Sequence, residues 1–416
     1  MDEVSRKIRK VKEASYTLYG LDEKVRNKVL LSLAKELMHS SNTILQENAK
    51  DLALMSQKDP KYDRLLLTRE RIQSIAHDIT RIAALPSPVG TILLEKIMPN
   101  GLYIQKISVP LGVVGVIYES RPNVTLDVFA LCFKSGNSCI LKGGKEAYYS
   151  NTILAGIIKR VLITYYINPD VLYLMPTARE AIDLLLNAVN FVDVCIPRGG
   201  QALIAFVRNN AKVPVIETGA GIVHTYFDIS GDVAKGRKII ENAKTRRASV
   251  CNALDTLVIH KKRLNDLQAL VEPLIAKNVE IFADNLSYER LVTRYPTPLL
   301  HLAKPEDFGI EFLSYKMSIK TALSIEEAVK HIMHYTSGHS EAIIAEDNTA
   351  ITYFLDNIDA AAVYANASTA FTDGGEFGMG AEIGISTQKL HVRGPMGLQE
   401  LTSYKWLIFG DGHTRA

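Results

Sequence analysis

The stretch VVGVIYESRPNVTLDVFALCFKSGNSCIL, residues 113–141, decides the fold class of this 416-residue chain. Its first six residues, Val113 to Tyr118, form a continuous apolar run, as expected of a strand covered on both faces in a parallel sheet. A polar turn at 119–123, a helix from about Val124 to Lys134 and a second strand, Ser138 to Leu141, complete a βαβ unit. The sequence therefore predicts an α/β protein.

The same alternation of apolar runs and helical patterns continues along the chain. It predicts a helix from Glu146, a strand near Val171 to Leu174, a helix from Ala178, and strands at Val192 to Ile196 and Pro214 to Glu217. Ligands of such sheets bind beyond the carboxyl ends of the strands, so the strand-end turns are candidate binding sites. These turns are Glu119 to Asn123, Lys142 to Lys145, Pro197 to Gly200 and Glu217 to Gly221.

A second αβ region is predicted from about Gly231 to Ala370. Its elements are a helix at 233–245, a strand at Thr256 to Ile259, a helix at Leu264 to Ala276, a strand at Tyr315 to Thr321, a helix at Ile325 to His334, a strand at Ala342 to Ile344, and a further helix and strand. Before both regions, apolar residues at helical spacing predict a helix from Asp22 to Met38.

Asn100-Gly101 lies between two short runs rich in apolar and β-branched residues, which predicts a β-hairpin with a type I′ turn. The tail from Lys389 to Phe409 has strand character on either side of a turn at Gly394-Pro395. Because an isolated hairpin is marginal in water, we expect the hairpin and the tail to pair as one small sheet that crosses to another subunit. A hairpin arm that packs on its own domain is the alternative.

Composition excludes several classes of function. A net charge of +3 without a basic stripe gives no reason to propose nucleic-acid binding. The four cysteines are too few for a disulfide framework and lack metal-ligand spacing, so we expect a reducing compartment and no metal. The N-terminus does not resemble a signal peptide, and no apolar run has the length of a membrane span. A cytoplasmic protein without membrane contact is expected.

Two glycine-containing segments do not match the consensus motifs for phosphate binding. Gly112-Val-Val-Gly115 lacks the dinucleotide spacing, and Lys142-Gly-Gly-Lys145 lacks the length and the hydroxyl residue of a Walker loop. The lysine pair nevertheless brings two ammonium groups and two glycines to a strand end, which suits a phosphate. A solvated lysine pair on a surface turn is the alternative.

Cys251 lies in the polar and cationic segment KTRRASVCNA, residues 244–253. Positive charge such as that of Arg246 and Arg247 lowers the cost of forming a thiolate, which makes Cys251 a candidate nucleophile. A buried cysteine that acts as a small hydrophobe is the alternative. The polar neighbours Ser249 and Asn252 favour the nucleophile.

Six segments carry a resemblance to a known family. They are VPLGVVGVIYESRPNVT (109–125), CIPRGGQALI (195–204), VPVIETGAG (213–221), VCNALDTL (250–257), HIMHYTSGHSEAI (331–343) and NASTAFTDGGEFGMGAEIGISTQKLHVRGPMGLQELTSYKW (366–406). With them the chain resembles the γ-glutamyl phosphate reductases, that is the glutamate-5-semialdehyde dehydrogenases, of the aldehyde dehydrogenase superfamily. The resemblance implies an aldehyde-dehydrogenase-like α/β fold with a Rossmann-like cofactor domain, a catalytic domain and a hairpin-and-tail oligomerisation arm.

The resemblance also implies the domain bounds. Residues 1–92 and 110–230, with a return segment at about 371–388, would form the cofactor-binding domain. Residues 231–370 would form the catalytic domain, and 93–109 with 389–416 the arm. A homodimer or higher homo-oligomer would follow, because such an arm makes the dimer in the superfamily.

Residue roles follow from the same resemblance. Cys251 matches the catalytic thiol, Glu217 the glutamate of the general-base motif, and Glu311 the glutamate that holds the nicotinamide ribose. Lys142 matches a strand-end lysine that contacts the adenosine ribose. Lys145 lies close enough to meet a 2′-phosphate, which favours NADP (NADPH) over NAD.

Further site residues are expected at the strand-end turns. Asn123 is a candidate oxyanion-hole donor, although Arg121 occupies the ungapped position. The remaining expected cofactor contacts are Gly143, Pro197, Arg198, Gly199 and Gly200.

The implied reaction is the NADPH-dependent reduction of L-glutamyl 5-phosphate to L-glutamate 5-semialdehyde with release of phosphate, in proline biosynthesis. A thioester and a thiohemiacetal on Cys251 would be the intermediates. Since phosphate and not water is the acyl acceptor, Glu217 has a structural role or a substrate contact as its alternative.

Three segments depart from the family pattern. Residues 217–221 are Glu-Thr-Gly-Ala-Gly where Glu-His-Gly-Asp-Gly is usual, so Thr218 and Ala220 differ. Ala248-Ser249 stands in place of Pro-Gly, and Ala370 stands in place of arginine. Alanine cannot replace the bidentate contacts of arginine with a carboxylate or phosphate. A relative that acts on another acyl phosphate or aldehyde, an inactive nucleotide-binding relative and an interaction protein built on the hairpin are the alternatives.

Overall fold

A computed structural model describes residues 2–57, 59 and 61–415, so residues 1, 58, 60 and 416 of the predicted domains lie outside the described residues. The α-helices are α1 (Asp2–Ser15), α2 (Glu23–His39), α3 (Ser41–Ala53), α4 (Tyr62–Leu65), α5 (Arg69–Ala84), α6 (Asn123–Lys134), α7 (Tyr148–Thr164), α8 (Glu180–Leu186), α9 (Gln201–Asn210), α10 (Val233–Thr245), α11 (Leu267–Val271), α12 (Asn285–Leu291), α13 (Ile325–Tyr335) and α14 (Asn348–Asn357).

The strands are β1 (Ile92–Ile97), β2 (Tyr103–Pro110), β3 (Val113–Tyr118), β4 (Ser138–Lys142), β5 (Leu172–Leu174), β6 (Val194–Arg198), β7 (His224–Phe227), β8 (Thr256–His260), β9 (Glu280–Ala283), β10 (Leu300–Leu302), β11 (Lys316–Ala322), β12 (Ser340–Ile344), β13 (Ala362–Ala365), β14 (Ile385–Ser386), β15 (Gly394–Pro395) and β16 (Thr402–Phe409). They belong to two compact units. The first comprises the chain through Thr218, residues 378–384 and the chain from Met396. The second comprises Gly219–Phe377 and Ile385–Pro395.

The first unit is built on a parallel sheet of order β5-β4-β3-β6. All six residues of β3 are buried, as predicted for a strand covered on both faces. Val113 and Ile117 pack in a core with residues of α1, α8 and α9. On the other face, the hydroxyl of Tyr118 lies 2.7 Å from that of Thr125 in α6. The predicted βαβ unit is confirmed.

The strand predicted at Pro214 to Glu217 is wrong in its length, because this segment makes only a single bridge between Cys195 and Val215. Proline removes one ladder donor from the segment. The carbonyl of Pro197, at the end of β6, accepts a hydrogen bond from the Thr218 hydroxyl at 2.6 Å instead of from a backbone N–H.

A second sheet of the first unit joins the hairpin to the tail in the antiparallel order β1-β2-β16. Residues Thr402 to Phe409 pair with Pro110 to Tyr103, which confirms the predicted pairing. The rest of the tail does not join, because Gly394-Pro395 is strand β15 paired with β14 rather than a turn of this sheet.

The predicted type I′ turn of the hairpin is also wrong. Gly101 has a φ of 91°, and its N–H donates to Met98 O at 2.8 Å, so the loop is longer than two residues. Pro99 explains the difference, because its ring holds φ negative near the centre of the loop, where a type I′ turn needs positive values.

The second unit contains a seven-stranded parallel sheet of order β10-β9-β11-β8-β7-β12-β13. Strands β7, β9 and β10 were not predicted from the sequence. The single helix predicted from Leu264 to Ala276 is wrong: a 3₁₀ turn, α11 and a second 3₁₀ turn that contains Pro273 replace it. Proline cannot donate within a helix, so the segment breaks there.

Within the described part of the chain, no helix is long and apolar enough to cross a membrane. The same residues contain no group of three or more His, Cys, Asp or Glu side chains able to hold a metal ion. Three of the four cysteines, Cys132, Cys139 and Cys195, are buried, whereas Cys251 is partly exposed.

Candidate active site

Three predicted turns of the first unit lie together at the carboxyl ends of its parallel strands. Strand β3 pairs in parallel with both β4 and β6, with Ile117 opposite Lys142 and Tyr118 opposite Arg198. The chain runs from β3 outward to β4 and β5 and then returns to the other side of β3 as β6. The carboxyl ends of β3 and β6 therefore flank a topological switch point, the position at which parallel sheets bind ligands.

The turn after β3 is held by the carboxylate of Glu146, which no sequence pattern marks as a site residue. Glu146 accepts hydrogen bonds from the backbone N–H and the hydroxyl of Ser120 at 2.8 and 2.7 Å. Burial acts to raise the pKa of Glu146, but these bonds and its own backbone N–H lower it below its usual value. Ser120 has a φ of 41°, a conformation rare outside glycine, so the side-chain contacts stabilise an unusual turn.

Asn123, the candidate oxyanion donor, is the first residue of α6. Its Nδ2 donates to Oδ2 of Asp127 at 2.8 Å. Burial raises the pKa of Asp127 to about 6 against this hydrogen bond. An amide nitrogen carries two hydrogens, so the bond to Asp127 orients the side chain and leaves its second hydrogen for another acceptor.

Lys142 and Lys145 differ sharply in environment. The Lys142 side chain is buried, and its Nζ donates to the carbonyl oxygens of Gly143 and Thr177 at 3.2 and 3.1 Å. Burial lowers its pKa, against the attraction of Glu146. Lys145 is exposed and, in the described residues, forms no salt bridge. The predicted pair is thus one buried and one solvated ammonium.

The glycines of the strand-end turns allow close approach of backbone. A Cβ added to Gly143 would lie 2.3 Å from Nδ2 of Asn151, and one added to Gly199 would lie 2.7 Å from a Leu203 methyl and 2.9 Å from a Glu119 oxygen. The N–H of Gly200 points to the same Glu119 carboxylate at 3.4 Å and precedes α9. These turns therefore have no space for larger residues.

Glu217 begins the fourth predicted turn, next to Thr218, whose hydroxyl donates to the carbonyl of Pro197. Its Oε2 is 3.3 Å from Nη1 of Arg208 in α9, and the Glu217 side chain is one quarter exposed. Arg208 therefore contacts one oxygen of the carboxylate predicted as the general base.

In the second unit, Cys251 lies in the turn between α10 and β8. It is partly exposed, unlike the three buried cysteines. The turn is closed by a hydrogen bond from Ala253 N–H to Val250 O at 3.1 Å. Partial exposure is the property a reactive thiol needs and a structural thiol lacks.

Gly221 brings Cys251 and Glu311 together. A Cβ added to Gly221 would lie 1.6 Å from the carbonyl oxygen of Cys251, so the two backbones are in direct contact. The N–H of Gly221 donates to Oε1 of Glu311 at 2.8 Å. Burial raises the pKa of Glu311, against this hydrogen bond. Two residues predicted separately from the sequence thus meet at one glycine.

Asn252 fixes the other side of the cysteine turn. Its buried Nδ2 donates to the carbonyl oxygens of Ala370 and Thr372 at 3.3 and 3.0 Å, and its own carbonyl accepts the Thr369 hydroxyl at 2.8 Å. Ala370, where arginine is usual, therefore lies beside the cysteine turn and is itself buried. These contacts join segments that are distant in the chain, so no local sequence pattern predicts them.

Comparison with known proteins places the chain among well-defined relatives, although no family model matches it. It is 61% identical over 413 residues to a γ-glutamyl phosphate reductase of Legionella pneumophila, with 99% of each chain covered. It is 59% identical over 413 residues to one from Chlorobium phaeobacteroides, again with 99% of each covered.

Solved structures agree with these relatives. A γ-glutamyl phosphate reductase from Thermotoga maritima matches with a TM-score of 0.95 and 38% identity, and 100% of each chain is covered. An acetylating aldehyde dehydrogenase from Geobacillus thermoglucosidasius matches with a TM-score of 0.71 and 16% identity over 100% of this chain and 98% of the other. The second match shows the aldehyde-dehydrogenase-like fold alone, which confirms the predicted fold class.

Replacing Gly221 by alanine should displace the cysteine turn, because a methyl group cannot occupy the space of the Cys251 carbonyl. We expect Gly221→Ala to lower the free energy of unfolding by about 1–3 kcal/mol and to change the rate at which iodoacetamide alkylates Cys251. Gly20→Ala is the matched control, since its methyl group would meet nothing within 4 Å. Unaltered unfolding and alkylation in Gly221→Ala would contradict the contact.

Proposed function

The chain belongs to the γ-glutamyl phosphate reductase family, and on that premise we propose that it reduces L-glutamyl 5-phosphate to L-glutamate 5-semialdehyde with release of phosphate, as a step of proline biosynthesis. It is an oxidoreductase of the aldehyde dehydrogenase type that uses a nicotinamide cofactor. The observation that carries the proposal is the partly exposed Cys251 in a turn fixed by Gly221 and Asn252. We assign the first unit to cofactor binding and the second to catalysis.

Cys251 is the nucleophile of this reaction. Its thiolate attacks the acyl carbon, the carbon–oxygen bond to phosphate breaks, and a thioester with Cys251 remains. The cofactor, when bound, supplies the hydride that reduces the thioester carbon. The resulting thiohemiacetal then breaks its carbon–sulfur bond, which releases the aldehyde and returns the thiolate.

Hydrogen-bond donors stabilise the negative oxygen in each tetrahedral intermediate. We propose the backbone N–H of Cys251 and the side chain of Asn123 as these donors. Support for Asn123 comes from its bond to Asp127, which orients the amide and leaves one N–H hydrogen unused by that bond.

Glu217 has a structural or substrate-contact role in this proposal. Acyl transfer to and from phosphate requires no activated water, and one oxygen of the Glu217 carboxylate is paired with Arg208. A general base for hydrolysis would serve an enzyme that releases a free acid.

The cofactor-binding residues are proposed to be Lys142, Gly143, Lys145, Pro197, Arg198, Gly199, Gly200 and Glu311. The buried ammonium of Lys142 fits a cofactor, because its hydrogen bonds go to two carbonyl oxygens and leave its charge available to ribose hydroxyls or phosphate. Gly143 and Gly199 lack side chains, which allows the backbone of these turns to approach the ligand closely. Glu311 would hold the nicotinamide ribose.

NADP is proposed as the cofactor in preference to NAD. The exposed Lys145 forms no salt bridge within the described residues and can therefore meet the 2′-phosphate that distinguishes NADP.

A second candidate substrate, another acyl phosphate or aldehyde, is favoured by one observation. Ala370 lies beside the cysteine turn without the arginine that would bind a carboxylate or phosphate.

A homo-oligomer is proposed from the apolar surface of the hairpin-and-tail sheet. Ile97, Trp406 and Ile408 are 74%, 50% and 62% exposed, and neighbouring apolar residues of β1 and β16 are exposed as well. An exposed apolar sheet with a free edge strand is avoided in monomers because it associates. We propose that a second copy of the chain covers it.

Cys251→Ser should abolish turnover and leave folding and NADPH binding intact. A serine hydroxyl without an adjacent strong base is a much weaker nucleophile than a thiolate, so we expect a loss of about 10³-fold or more in kcat. Ser249→Ala, an exposed change in the same turn, should retain turnover. Near-normal kcat in correctly folded Cys251→Ser would remove Cys251 from the mechanism.

Lys145→Ala should weaken NADPH more than NADH, because only NADPH carries the 2′-phosphate. Loss of one charge-assisted contact corresponds to about 1.5–3 kcal/mol, or about tenfold or more in the dissociation constant. Fluorescence titration with both cofactors measures the difference, and the equally exposed Lys212→Ala serves as control. Equal losses for both cofactors would place Lys145 on a group they share.

Ile408→Glu should dissociate the oligomer, since it puts a charge on the apolar face of β16 without removing the backbone pairing with β2. Light scattering should report a smaller particle. Leu54→Glu, at an apolar residue that is 78% exposed outside the arm, should leave the mass unchanged. If both variants and the wild type have the mass of one chain, the arm packs only on its own subunit.

A further inference from the structure

Asp255 is a buried carboxylate four residues after Cys251, and it joins three separate segments. Its Oδ2 accepts the N–H of Val223 at 3.3 Å, and its Oδ1 accepts the N–H of Phe312 at 3.0 Å. Its backbone N–H donates to Val223 O at 2.9 Å, and its carbonyl accepts Ser318 N–H at 2.8 Å. The side chain is 2% exposed, so these protein groups replace water around it.

Lys244 supplies the charge that makes this burial tolerable. Its side chain is fully buried at the end of α10, and Nζ donates to Leu254 O at 2.8 Å. Burial raises the pKa of Asp255 to about 7, while the Lys244 charge acts to lower it and Glu311 acts to raise it. Burial likewise lowers the pKa of Lys244 to about 8, against the attraction of Asp255. Lys244 Nζ also lies 6.0 Å from the centroid of the Phe312 ring, so Lys244 contacts both the residue before Asp255 and a residue that Asp255 holds.

The two segments that Asp255 holds by its oxygens carry site residues. Val223 follows Gly221, whose backbone contacts Cys251, and Phe312 follows Glu311, which accepts the Gly221 N–H. A shift of either segment would move Glu311 and the cysteine turn relative to each other. The Asp255 carboxylate thus acts on Glu311 and on the cysteine turn through the backbone segments that it holds.

Building on the proposed function, we propose that Asp255, with Lys244 as its counter-ion, is a positioning residue that sets Glu311 and the Cys251 turn for cofactor binding and acyl transfer.

Only a carboxylate of this length satisfies the geometry. Its two oxygens accept both N–H groups, whereas asparagine offers one oxygen and an NH₂ group that would face the second N–H. Asp255→Asn should therefore release one of the two segments. We expect the dissociation constant of NADPH, by fluorescence, and its KM to rise about tenfold, with a smaller change in kcat.

A double variant separates positioning from simple stability. Lys244→Met and Asp255→Asn should each lower Tm, because each leaves one buried charge without its partner. Asp255→Asn with Lys244→Met removes both charges, so Tm should recover toward the wild-type value. The NADPH dissociation constant should stay raised in the double variant, because the second acceptor oxygen is still missing.

Asp228→Asn is the matched control, since Asp228 is also buried and accepts a backbone N–H, from Ser230 at 2.9 Å. It should lower Tm with normal NADPH binding. The inference is overturned if NADPH binding recovers together with Tm in the double variant, or if folded Asp255→Asn binds as the wild type does. A wild-type protein that neither binds NADPH nor reduces the acyl phosphate would instead overturn the proposed function, and this inference with it.

Discussion

The backbone contact between Gly221 and Cys251 is the constraint on which the second unit's candidate site depends. A Cβ at position 221 would overlap the Cys251 carbonyl, so only glycine permits the approach. With that contact made, the Gly221 N–H is available to Glu311, and Asn252 holds the turn from its other side. The thiol is thereby presented on a rigid turn while remaining partly exposed. Rigid placement of a nucleophile is worth several kcal/mol of activation energy in general.

In the first unit, strand pairing and local hydrogen bonds place the candidate binding turns. Parallel pairing of β3 with β4 and β6 aligns three strand-end turns. Hydrogen bonds then fix each turn, for example those from Ser120 to Glu146 and from Thr218 to the carbonyl of Pro197. Thr218 stands where the family usually has histidine, and its hydroxyl makes this structural hydrogen bond. The burial of Ala370 beside the cysteine turn has no comparable compensation in the structure.

Much of the fold could be predicted because its signals are local. The apolar run of β3 predicts a strand buried on both faces, and the helical spacing after Asp22 predicts α2. Pro99 and Pro273 broke two predicted elements, because Pro99 holds φ negative where a type I′ turn needs positive values and Pro273 lacks the N–H that a helix requires. The short strands β9 and β10 were missed since they join a sheet through partners distant in sequence. The candidate site likewise combines local and distant signals. The composition around Cys251 marks this residue as a candidate. The contacts of Gly221 with Cys251 and Glu311, and the hydrogen bonds of Asp255 to separate segments, could not be predicted because they depend on the folded structure.

The central claim is that Cys251 carries the acyl group, and mass spectrometry of the enzyme tests it most directly. Wild-type protein incubated with glutamate 5-semialdehyde and NADP in the absence of phosphate should retain one glutamyl group, on the peptide that contains Cys251. Addition of phosphate should release it, because phosphate is the acyl acceptor that completes the reverse reaction. A glutamyl group on another residue, or full turnover with phosphate and no acylated cysteine without it, would contradict the account.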